Sequence, residues 1–158
     1  MQGLGRTLET IERETGKRKR KWTNTRSKEK TNYLERVLQI PQLTRGVFFR
    51  SFSGTRDYTE LTPLTIAQAI LERASGDYQT YITIDGLNEK ERNRVAKELR
   101  VRGIERRKLR GGRDESSELL RLADAMAGFI RDYEDGKPYA QDLYRRFANR
   151  NIITQLST

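Results

Sequence analysis

Asp85 closes the run Tyr81-Ile82-Thr83-Ile84-Asp85-Gly86, and Asp124 lies inside Leu119-Leu120-Arg121-Leu122-Ala123-Asp124-Ala125-Met126-Ala127-Gly128. Two carboxylates in apolar surroundings, on a chain of formal net charge +10, point to a hard divalent cation acting on a polyanion. A carboxylate on an apolar helix face loses solvation at a cost of several kcal/mol unless a cation or hydrogen bonds compensate. Mg2+ or Mn2+ would compensate at Asp124, and so would one of the many arginines. Asp85 at a strand end sits where α/β sheets bind ligands. It is equally a turn residue, because Asp-Gly is a strong turn signal. Asp114 and Glu115 precede the helix that carries Asp124 and are further candidate ligands, with Glu118 as an alternative to Asp114. The helix dipole alone explains one of the pair. Lys108, Arg110 and Arg113 border the same edge, where the arginine fork suits a phosphate and ordinary surface ion pairing is an equal reading.

The composition narrows the chemistry. The chain has 158 residues, with 34% hydrophobic and 34% charged, and no cysteine or histidine. Thiolate and imidazole chemistry, disulfides and the common zinc sites are therefore excluded. That leaves carboxylates, lysines, tyrosines or a hard metal. With 32 Lys+Arg against 22 Asp+Glu, the excess is basic and unevenly spread, with two dense blocks. One is Lys17-Arg18-Lys19-Arg20-Lys21 within a basic segment at 16–30, and the other spans Arg92 to Arg113. Such blocks attract phosphate backbones by counterion release, so nucleic acid, DNA or RNA, is the expected partner. Lys19, Arg20, Lys21 and Trp22 form the expected arm, with Trp22 either anchoring it or stacking on a base. No apolar run approaches the roughly 20 residues of a membrane span, and no secretory core opens the sequence, so a cytoplasmic protein without membrane contact is expected.

These residues need elements to position them. Leu4, Leu8 and Ile11 have helical spacing, as do Leu34, Val37 and Leu38 in a helix over 27–39. Residues 46–52 read as a strand, 63–74 as a helix opened by Thr62-Pro63, and 81–84 as a second strand. Asn88 caps a helix over 89–102 that Gly103 stops, and 104–109 forms a weak third strand. Long helices over 115–134 and 138–149 complete one domain spanning 1–158. Strands alternating with helices favour an α/β three-layer arrangement, with about three mainly parallel strands and five to six helices.

The segments Tyr-Ile-Thr-Ile-Asp-Gly (81–86) and Gly-Ile-Glu-Arg-Arg-Lys-Leu-Arg-Gly-Gly-Arg-Asp-Glu-Ser-Ser-Glu-Leu-Leu-Arg-Leu-Ala-Asp-Ala-Met-Ala-Gly (103–128) resemble the family called domain of unknown function 3800. The resemblance extends to Lys21-Trp22 and Leu61-Thr62-Pro63-Leu64-Thr65, and is strongest over 81–130. It implies an RNase H-like sheet and a divalent-metal-dependent nuclease that hydrolyses phosphodiester bonds. Asp85 would match the later strand's acid, Asp124 the helix acid and Asp114 the polar loop position. Family members begin with a strand bearing Asp-Glu-Ser-Gly and then a β-meander, and neither occurs in this sequence. The resemblance therefore implies an RNase H-like domain truncated at its N-terminus. Three expectations follow: a fragment, a homodimer or partner chain that completes the sheet, or a non-catalytic nucleic-acid-binding or protein-interaction module.

Overall fold

Leu4, Leu8 and Ile11 lie one above another along helix α1 (Gln2–Thr15), and all three are buried. The computed structural model describes residues 2–52, 58–105, 107–112 and 117–157. After α1 come a 3-10 turn (Trp22–Asn24), α2 (Ser27–Val37), a second 3-10 turn (Pro41–Leu43) and strand β1 (Val47–Phe49). Next are α3 (Tyr58–Arg73), β2 (Thr80–Asp85), α4 (Glu89–Val101) and β3 (Arg107–Gly112). The chain continues through α5 (Glu118–Glu134), α6 (Pro138–Asn149) and β4 (Ile153–Gln155). It divides into two compact units: Met1–Val47 with Arg113–Ile153, and Phe48–Gly112 with Thr154–Thr158.

The first unit is a four-helix arrangement in which α1 packs on α2 and α5, and α6 packs on α5 and α2. Its core holds Leu8, Trp22, Tyr33, Leu34, Phe129 and Phe147, each essentially fully buried. Burying one such side chain contributes about 1.5–3 kcal/mol. Gly16, at φ +80°, ends α1 in the left-handed conformation that suits glycine. Ser117 opens α5 by accepting the Leu120 N–H at 3.3 Å.

In the second unit, β2 and β3 run parallel, with Thr80 opposite Arg107 and Asp85 opposite Gly112. The Asn88 side chain caps α4 by accepting the Glu91 N–H at 2.8 Å. Helices α3 and α4 pack together, and Ala67, Val95 and Leu99 meet Ile82 and Ile104 in a small core. Ile84 and Leu109 extend it, so alternate residues of both strands turn towards the helices. At Gly111 a Cβ would lie 2.1 Å from the Leu87 carbonyl oxygen, so only glycine fits that approach.

The sheet departs from the sequence expectation. The described residues form two separate two-stranded sheets, β1–β4 and β2–β3. The expected single three-layer RNase H-like sheet is absent among them, and with it goes the resemblance to the family named above. The reason is the choice of partner: β1 takes β4, a short C-terminal strand absent from the sequence expectation although Ile152, Ile153 and Thr154 are all β-branched, rather than joining β2 and β3. Within the first unit Val47 N–H donates to the Ile152 carbonyl at 3.0 Å, and within the second Leu156 N–H donates to the Phe49 carbonyl at 2.8 Å. Helix α3 also begins at Tyr58, so Pro63 lies inside it rather than at its first position.

Candidate functional site

Asp85, at the end of β2, is exposed. The following Gly86 has φ +74°, and its N–H donates to the Gly112 carbonyl at 2.8 Å. This is the turn role that Asp-Gly supplies. Asp124, in the other unit, is half-buried on α5, and its Oδ2 accepts the Trp22 backbone N–H at 3.0 Å. Gly128, one turn on, leaves room for the indole of the same residue: a Cβ there would lie 2.2 Å from Trp22 Cδ1. Asp114, Glu115 and Arg113 lie outside the described residues. Among the described residues, no group of three or more His, Cys, Asp or Glu side chains could hold a metal ion. Together with the strand pairing, this overturns the expectation of a magnesium-dependent RNase H-like nuclease. The described donors do not assemble the several carboxylates that two-metal cleavage requires.

The buried acids are others, which the sequence reading missed. Asp132 Oδ2 accepts from Trp22 Nε1 at 3.2 Å, from Lys30 Nζ at 3.3 Å and from the Tyr139 hydroxyl; Lys137 Nζ pairs with Oδ1 at 3.2 Å. Burial alone would raise its pKa, but these bonds from Tyr139, Lys137 and Lys30 outweigh burial and bring it down to about 2. Its signal was the spacing from Phe129, which puts it on the inward face of α5. Glu12 and Arg121, both buried, form a bidentate pair at 2.6 and 3.0 Å. Beside them the Tyr33 hydroxyl is buried without a hydrogen-bond partner among the described residues. Burial, and then the Glu12 charge, push that phenol far above its ordinary range.

The first basic block therefore lies against its unit instead of extending as an arm. Lys17 is buried, and its Nζ donates to the Arg20 carbonyl at 2.8 Å. Arg20 pairs with Glu29 at 3.2 Å. Trp22, only 1% exposed, is an anchor. Lys19 and Lys21 remain on the surface.

The second basic block is arranged differently. The period of two that turns Ile82, Ile84 and Leu109 inward turns Tyr81, Thr83, Lys108 and Arg110 outward. Tyr81 is opposite Lys108 and Thr83 opposite Arg110. Tyr81 is 71% exposed, far more than an aromatic side chain in a packed sheet. Arg110 Nε donates to Thr83 Oγ1 at 3.3 Å, which lays the arginine across the strand pair. Lys108 and Arg110 are exposed and have no carboxylate partner among the described residues. Together with Ile82 and Leu109 these residues line an open groove of about 500 Å³. Parallel strands are ordinarily covered on both faces; here α3 and α4 lie on the inner face and the outer one is solvated. Chemically, the face offers two cations without a carboxylate partner among the described residues, a hydroxyl and an aromatic ring. No family model matches the chain, and neither a curated protein nor a solved structure matches it.

Proposed function

We propose that the chain is a nucleic-acid-binding module that engages phosphates through the outer face of β2–β3. One observation carries the reading: Lys108 and Arg110 stand exposed on the same strand as alternate residues, without a carboxylate among the described residues to neutralise them. Exposed cations in such a row release condensed counterions when they meet a phosphate backbone. Arg92, Lys97 and Arg100, exposed on α4, add to the positive field around the unit and speed encounter.

Fluorescence anisotropy with labelled DNA and RNA oligonucleotides over a series of salt concentrations tests this. Binding with a Kd of about 1–100 μM near physiological salt is expected, weakening steeply as salt rises. The double substitution Lys108→Ala with Arg110→Ala removes two phosphate contacts. It should reduce the slope of log K against log salt by about 1.4 on a single strand and about 1.8 on a duplex. An unchanged slope in that variant, or no binding at low salt by the unsubstituted chain, overturns the proposal.

A further inference from the structure

We infer that the ligand of this face is a single strand, whose bases stack on Tyr81 while its phosphates meet Lys108 and Arg110. The inference rests on the nucleic-acid reading above and specifies its substrate class. The paired bases of a duplex have their faces covered by neighbouring pairs, so a duplex has nothing to lay on an exposed phenol ring. An unstacked base does, and base–aromatic stacking tolerates any sequence because every base has a π-face. Tyr81 is the most exposed aromatic side chain described, and it stands beside the two cations instead of apart from them.

The geometry of the strand pair supports the same ligand. Lys108 and Arg110 are two residues apart on β3, about 6.6 Å along the strand, on the scale that separates successive phosphates of an extended chain. Thr83 holds Arg110 in place through its Nε, leaving the terminal guanidinium nitrogens to face a phosphate. At the far end, Asp85 is four residues from Tyr81 on the same outward set, about 13 Å away, and its negative charge limits the track at that side. The groove is thus short, with room for a few nucleotides.

The test compares matched single-stranded and duplex oligonucleotides against the full chain and two variants at Tyr81. The unsubstituted protein should bind the single strand at least tenfold more tightly than the duplex. Tyr81→Ala should weaken single-strand binding roughly 5- to 150-fold while the salt slope stays the same, because no phosphate contact is lost. Tyr81→Trp should keep or improve the affinity. The side chain is mostly solvated, so unchanged far-ultraviolet circular dichroism would show that both variants are folded. Single-strand affinity that survives Tyr81→Ala, or a preference for duplex, overturns the stacking inference. If salt-dependent binding still falls with Lys108→Ala and Arg110→Ala, the broader reading stands without it. If the unsubstituted chain binds neither ligand, both fall together.

Discussion

At Asp132, an indole N–H, two ammonium groups and a phenol converge on one carboxylate that is only 4% exposed. Lys30 lies 5.3 Å from the Trp22 ring centroid and 5.7 Å from that of Tyr139, so the cation is held between aromatic faces as well as paired. The carboxyl, held at a pKa of about 2, is depressed below the ordinary aspartate value near 3.9. Its contribution to stability is therefore complete above the unfolded-state value and disappears as pH falls through the folded one. The depression amounts to about 2 kcal/mol at neutral pH. Urea unfolding should show Asp132→Asn less stable by at least that much at pH 7, since Lys30 would also lose its counter-charge. The gap between the two proteins should narrow between pH 5 and pH 2 as the native carboxyl takes up its proton. A gap of constant size over that range would mean that the ionised carboxylate is not what the variant lost.

Between elements, the comparable device is the Glu12–Arg121 pair, which joins α1 to α5 inside the first unit. Both partners are buried, so removing one leaves an uncompensated charge in a medium that solvates it poorly. Arg121→Met alone should destabilise by about 3–5 kcal/mol, whereas Arg121→Met with Glu12→Leu should recover most of that loss. Chemical denaturation of the two single variants and the double variant gives the coupling directly, and equal loss in single and double variants would refute it. Much at this scale is legible from local pattern. The apolar stripes of α1, α2, α5 and α6, the Asn88 cap and the Gly103 stop lie close to where spacing and turn chemistry put them. What the pattern does not contain is the identity of distant partners. Asp124 sits in an apolar helical stretch, and the backbone N–H it accepts comes from 102 residues away, which no local window records. Strand β4 is only three residues long, and its β-branched residues do not say that its partner is β1, about a hundred residues earlier. The two faces of β2 are written in its period of two. Which face stays wet depends on helices packing from one side only, and no local window records that.

For the whole molecule, the two units differ in what holds them. The first buries large side chains from four helices, among them Trp22, Tyr33, Phe129 and Phe147. Among the described residues the second has a core cluster of five buried residues, Ala67, Ile82, Val95, Leu99 and Ile104, beneath a parallel pair whose outer face is solvated. With roughly 25 cal/mol per Å² of apolar area removed from water, the second unit has much the smaller driving force. It should therefore open first, as a sub-global unfolding event with its own free energy. The sequence contains one tryptophan, and Trp22 lies in the first unit, so its fluorescence reports that unit, while far-ultraviolet circular dichroism reports helices of both. In a urea titration the dichroism should begin to fall before the fluorescence changes. A single-stranded oligonucleotide at about 100 times its Kd should stabilise the unit that binds it by about 2.7 kcal/mol. That would move the early dichroism phase to higher urea and leave the Trp22 midpoint where it was. Coincident transitions without ligand would show that the units unfold as one. A ligand-induced shift in the fluorescence midpoint alone would place binding in the four-helix unit, away from Tyr81, Lys108 and Arg110.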